Sequence, residues 1–140
     1  MYEKIVVAVD GSPFSEAAVT AGAGLAAKAG SAVEVVHVHE HDVIPAKASV
    51  APDLESAEEA RAVVASAIAR FKESGVEAHG HLLQSSTRDV PRKILDVADE
   101  TGADLIIVGS RGLSSFTGML VGSVSNKLIH TAKMGVMVAH

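Results

Sequence analysis

The apolar run Leu105-Ile106-Ile107-Val108 leads straight into Gly109, with Gly112 after a gap of two residues and Gly122-Ser123 after a further nine. Without a Cβ, glycines just past a strand let main-chain N–H groups approach an anion closely, and the N-terminus of a following helix adds the positive end of its dipole. That arrangement suits the holding of phosphate. Ser123 and Ser125 offer hydroxyl donors beside the main-chain N–H groups of the segment Ser123-Val124-Ser125. Arg111, inside the glycine segment, stands between two readings, a phosphate clamp or a solvated loop cation. Taken alone, glycines after a strand also serve turns and helix caps in any α/β protein.

Further clusters close other apolar runs. Asp10-Gly11-Ser12 ends the stretch from Ile5 to Val9, and His37-Val38-His39 ends the stretch that begins at Ala32. His37, His39 and His41 alternate, as do His79 and His81, which puts each set on one face of a strand. Such imidazoles are read first as strand-end polar groups; the alternative is a histidine-based module that binds Zn²⁺, Ni²⁺ or Cu²⁺ or senses pH. Gly22-Ala23-Gly24-Leu25-Ala26-Ala27 has the letters of a dinucleotide fingerprint but lies deep in a helical stretch, and is assigned to close helix packing. A Walker A sequence is absent.

The elements that must position these residues alternate between strand and helix. Ile5–Val9, Ala32–Val38 and Leu105–Val108 are continuous and largely β-branched, the pattern of strands buried on both faces of a parallel sheet. Weaker strands are expected over Val76–Leu83 and Val136–Ala139, and helices over Ser12 to about Lys28, Leu54 to Ser74, Asp89 to Glu100 and Ser123 to Lys133. Ser12 can cap its helix with Pro13 at the first helical position, Ser56 and Glu59 have capping-box spacing, and Gly30, Gly75 and Gly102 sit where helices end. The order predicts an α/β fold, an open five-stranded parallel sheet with helices on both faces, doubly wound and Rossmann-like, over the single domain 1–140. Such sheets bind ligands beyond the carboxyl ends of their strands, where the chemical clusters fall. The irregular stretch from Glu40 to Asp53 reads equally as a lid or as slack.

Composition narrows the classes. A chain of 140 residues with 48% hydrophobic and 3% aromatic residues builds its core on aliphatic packing. The absence of cysteine excludes disulfides and thiolate metal sites and points to the cytoplasm. No signal-peptide pattern or membrane-length apolar run is read, so neither export nor a membrane is expected. A net charge of −5 with scattered Lys and Arg argues against nucleic acid as a partner.

Ile5-Val6-Val7-Ala8-Val9-Asp10-Gly11-Ser12, together with Ala103 to Gly112 and Gly122-Ser123-Val124-Ser125, resembles the universal stress protein family, and the likeness covers essentially the full chain. The glycine-and-serine pattern implies the ATP-binding branch. Carried over, it implies Gly109 and Gly112 at the ribose and triphosphate, phosphate oxygens on Gly122, Ser123 and Ser125, Asp10 near ribose or metal, and the Val38 main chain at the adenine edge. A carboxylate ~4 Å from a phosphate is opposed by about 4 kcal/mol at an effective dielectric of about 20, so Asp10 is expected to meet ribose hydroxyls or to act through Mg²⁺.

The function so implied is a nucleotide-dependent regulator in stress tolerance, read by an unidentified protein client. The family also implies a homodimer through the C-terminal strand, Val136-Met137-Val138-Ala139. Slow ATP hydrolysis or nucleotidyl transfer is the enzymatic alternative, against which stands the lack of an obvious general base. Two stretches depart from the family pattern. Lys133-Met134-Gly135 replaces a small residue and proline before the last strand, and Gln84-Ser85-Ser86-Thr87 lacks a common glycine.

Overall fold

The computed structural model describes residues 1–40, 55–85, 89–111 and 121–140. Its elements run β1 (Lys4–Ala8), α1 (Pro13–Ala29), β2 (Ala32–Glu40), α2 (Ala57–Glu73), β3 (Ala78–Ser85), α3 (Val90–Thr101), β4 (Leu105–Gly109), α4 (Ser123–Thr131) and β5 (Gly135–Ala139). Among the described residues, five parallel strands form one sheet in the order β3-β2-β1-β4-β5. The expected doubly wound sheet is present. The chain leaves β1 toward β2 on one side and later returns to build β4 on the other, so the switch point of the topology lies between β1 and β4.

Alternation along the central strands splits the core in two. Ile5, Val7, Val33, Val35, Leu105 and Ile107 face α1 and α2, where Val19 and Phe71 meet them. Val6, Ala8, Val36, Ile106 and Val108 face α3 and α4, where Ile94, Val97 and Leu128 meet them. Burial on both faces is why these strands read as unbroken apolar runs, whereas β3 and β5, at the edges, expose alternate residues.

The local signals match the chemistry read from the sequence. The Ser12 hydroxyl accepts the Ser15 N–H, Ser56 and Glu59 form a reciprocal capping box, and Gly30, Gly75 and Gly102 take the positive φ that ends a helix turn. Gly22 is a point of close packing: a Cβ there would lie 3.0 Å from Val7 Cγ2. α4 stops at Thr131, short of the expected Lys133, because Ala132 is already extended. Without that proline β5 still starts at Gly135, paired with Leu105, whose Cδ1 would lie 3.2 Å from an added Cβ.

Candidate functional site

The turn after β1 is closed by its own side chains. Asp10 Oδ1 accepts the Ser12 N–H at 2.9 Å, and Gly11 takes φ +82°, which lets the chain double back. Ser12, 1% exposed, then caps α1 through its hydroxyl, and its carbonyl accepts the Ser15 hydroxyl at 3.0 Å. Pro13 at the first helical position has no N–H to offer. The start of α1 is therefore capped from within the chain.

The connection after β4 is built differently. Ser110 donates its N–H to Ala139 O of β5 and accepts the Gly122 N–H, so Gly122 lies beside the end of β4. Gly122 is the N-cap of α4, with extended backbone and no side-chain cap hydrogen bond, and the first turn carries no acidic residue. The main-chain N–H groups of Ser123, Val124 and Ser125 open this helix, and the first i to i−4 bond is Asn126 N–H to Gly122 O. Among the described residues, no side chain caps this positive helix end.

Each expected site residue has a definite place. Asp10 stands at the end of β1 and Val38 on β2, with the valine side chain packed on the α3 face. Gly109 ends β4, and its lack of a Cβ has a packing cause: an added Cβ would lie 2.5 Å from Phe14 O. Arg111 lies over the Phe14 ring, 5.9 Å from its centroid, a cation–π placement that spelling alone did not reveal. Ser123 is exposed at the first turn of α4, and Val124 is partly buried against the α3-side core. Ser125 is buried and donates its hydroxyl to Gly109 O at 2.6 Å, so that hydroxyl joins α4 to β4. Gly112 lies outside the described residues, as do His41 and residues 41–54 of the irregular stretch, and Ser86-Thr87.

The histidines do not form one cluster. His79 and His81 pair in register with Glu34 and Val36, which places them on the sheet face opposite His37 and His39. His81 Nε2 meets Glu34 at 2.6 Å, with Lys4 Nζ 3.7 Å from the other carboxylate oxygen, and His79 Nε2 meets Glu77 at 2.9 Å. His37 and His39 turn inward and hold Glu55, the residue before the α2 cap. Among the described residues no group of three or more His, Asp or Glu is arranged to hold a metal ion. What spelling missed here is the pairing of His37 with Glu55, which depends on the fold bringing the start of α2 to the end of β2.

A groove of about 330 Å³ opens between α1 and α2 beside Val9 and Gly11, with Ser15, Glu59, Val63 and Ser66 along it. Its two carboxylates are already engaged, Glu59 in the capping box of α2 and Glu16 with Arg70 at 2.7 Å. The groove therefore adds apolar surface next to the β1 turn more than it adds chemistry. Among the described residues no helix is long and apolar enough to cross a membrane.

Comparison with known proteins fits this geometry to a family. The model described as "Universal stress protein family" matches residues 1–140. The chain is 29% identical to universal stress protein YxiE of Bacillus subtilis, over 99% of each chain. Among solved structures it resembles the universal stress protein from Archaeoglobus fulgidus in complex with dAMP, at TM-score 0.73 and 29% identity over 99% and 98% of the two chains. It also resembles a universal stress protein in complex with cAMP, at TM-score 0.74 and 27% identity over 99% and 97%. Several mycobacterial relatives are longer, and the chain spans 44% of their length. The sequence match over all described elements, and the shared sheet, place the chain in the universal stress protein family.

Proposed function

We propose that this protein binds an adenine nucleotide, ATP in its working state, across the carboxyl ends of β1, β2 and β4, and acts as a nucleotide-dependent regulator in stress tolerance. The observation that carries this reading is the start of α4. Its N-cap is a glycine without a side chain, directly beside β4 at the switch point and across from the Asp10-Gly11 turn. The related proteins in complex with dAMP and cAMP support the adenine nucleotide as the ligand class.

Phosphates would lie against the Gly122-Ser123-Val124-Ser125 main chain, with Arg111 and Gly112 in the same segment and Gly109 beneath. The ribose would meet Asp10, and the base the Val38 main chain. For Mg²⁺ the donor chemistry fits a shared site only. That ion takes one or two carboxylates together with substrate phosphates, which Asp10 and a nucleotide would supply, whereas the described residues offer no cluster for an ion held by protein alone. Nucleotide occupancy would alter the surface that a protein client reads, with the protein a cytoplasmic homodimer paired through the β5 edge. Met137 on that edge is 38% exposed and Ile129 on α4 is 48% exposed, apolar surface that a second copy would cover.

Native mass spectrometry tests ligand and assembly together. The expected result is a dimer that carries ATP or takes it up with Mg²⁺; a nucleotide-free monomer indifferent to added MgATP would end the proposal. Turnover is assayed in the same samples, where no hydrolysis above the protein-free rate is expected.

A further inference from the structure

The β1–β2 ladder reaches the partners Ala8 and Val36 and continues with Val9 N–H donating to Val36 O at 2.9 Å. Main-chain groups alternate sides along a strand, so Val38, two residues on, presents its N–H and C=O to the same side as Val36, and the next rung would run from Val38 N–H to Val9 O. The His37 imidazole sits on that acceptor, with Nδ1 2.7 Å from Val9 O. A carbonyl only accepts, so Nδ1 is the donor in this contact.

The ring is held from its other side as well. His37 is 3% exposed, and its Nε2 lies 2.9 and 2.8 Å from the two carboxylate oxygens of Glu55. The main-chain oxygen of Glu55 in turn meets His39 Nε2 at 2.7 Å. Residues on both sides of Val38 thus clasp one acidic residue at the start of α2. With Nε2 fixed there, Nδ1 is kept on Val9 O.

Resting on the nucleotide reading above, we propose that His37 is a positioning residue that ends the β1–β2 ladder one rung early, so that the Val38 main chain faces the base of a bound nucleotide instead of β1, with Glu55 holding the ring to that task. The ligand group concerned is a purine edge offering a hydrogen-bond acceptor and donor side by side. His37 itself touches only protein.

Two measurements separate this role from a merely structural one. In nucleotide-free protein, His37→Leu removes the donor and lets the rung close, so Val38 amide exchange, followed by NMR, is expected to slow by about tenfold. In binding titrations the same variant is expected to weaken AMP by about tenfold while leaving ribose 5-phosphate, which has no base, within about twofold. His37→Asn, whose side-chain amide nitrogen can stand where Nδ1 stood, is expected to restore both values toward wild type; Glu55→Ala is expected to move both in the direction of His37→Leu.

Unchanged Val38 exchange in His37→Leu overturns the inference, as does equal weakening of AMP and ribose 5-phosphate. If the leucine variant does not fold, Glu55→Ala carries both comparisons with the same outcomes. A wild-type protein that binds neither ligand overturns the nucleotide reading and the base-facing role with it, while the exchange comparison, made without ligand, separately decides whether His37 ends the ladder.

Discussion

At the end of β1 the chain reaches α1 through the tight turn Val9–Ser12, which its own side chains close: Asp10 to the Ser12 N–H, the Ser12 hydroxyl to the Ser15 N–H, with proline at the first helical position. At the end of β4 the chain leaves at Ser110, comes back to it at Gly122, and begins α4 on a glycine with no side-chain cap. Both helices start at the same end of the same sheet, beside adjacent strands. One start is capped by its own side chain; the other has no side-chain cap and is where the proposed nucleotide would place its phosphates. The contrast separates two uses of small residues that look alike in spelling: serine and proline that cap a helix, and glycine that starts one without a side-chain cap.

The strongest way to break this comparison is to fill the glycines of the β4 side one at a time, because their reasons differ. Gly109→Val sets a branched side chain where a Cβ alone would lie 2.5 Å from Phe14 O, main chain that cannot step aside, and is expected to lose about 3 kcal/mol of stability in urea unfolding. Near-wild-type stability would mean that α1 does not press on β4 as described. Gly122→Val has ordinary φ, −67°, so its stability is expected to fall by no more than about 1 kcal/mol. Its branched carbons, however, stand over the N–H groups of α4, and AMP affinity measured by calorimetry is expected to drop at least about a hundredfold, or ~2.7 kcal/mol. Binding that survives Gly122→Val would place the phosphates elsewhere.

Local signals carried most of the fold. The unbroken runs of β1, β2 and β4 were legible because both of their faces are buried, and Ser12, Ser56 with Glu59, Gly30, Gly75 and Gly102 mark helix ends through bonds to near neighbours in the chain. The edges β3 and β5 gave weaker patterns, since only alternate residues are covered. In the site, the Asp10-Gly11 turn and the Gly122 cap were legible for the same local reason. What was not legible depends on distant residues: Phe14 lying against Gly109 and under Arg111, Ser125 bonding across to Gly109 O, and Glu55 reaching His37. Those contacts follow from strand order and register, which no single segment encodes.

Smaller effects sharpen the comparison from the capped side. Ser12→Ala removes the hydroxyl cap of α1 and leaves the Ser15 N–H with the Ser12 main-chain oxygen alone, at an expected cost of about 1 kcal/mol in thermal or urea unfolding. AMP affinity is expected to stay within about twofold, a difference of less than ~0.5 kcal/mol, because that helix start meets its own serine and no ligand. A large loss of affinity at unchanged stability would make α1 a second anion site and erase the difference between the two turns.

Ser125 tests which of its groups belongs to the site. Its hydroxyl donates to Gly109 O inside the protein, while its N–H lies in the first turn of α4, where an anion would be met. Ser125→Ala deletes the first group and keeps the second. The expected result is a loss of about 1 kcal/mol in stability, the size of one neutral hydrogen bond, with AMP affinity changed by no more than about threefold. If the hydroxyl instead turns to the phosphate when nucleotide binds, the order reverses: stability of the free protein still falls, but affinity falls by about tenfold or more, the size of a hydrogen bond to a charged oxygen. Comparing the two losses in one variant therefore decides whether the open start of α4 receives phosphate through its main chain alone.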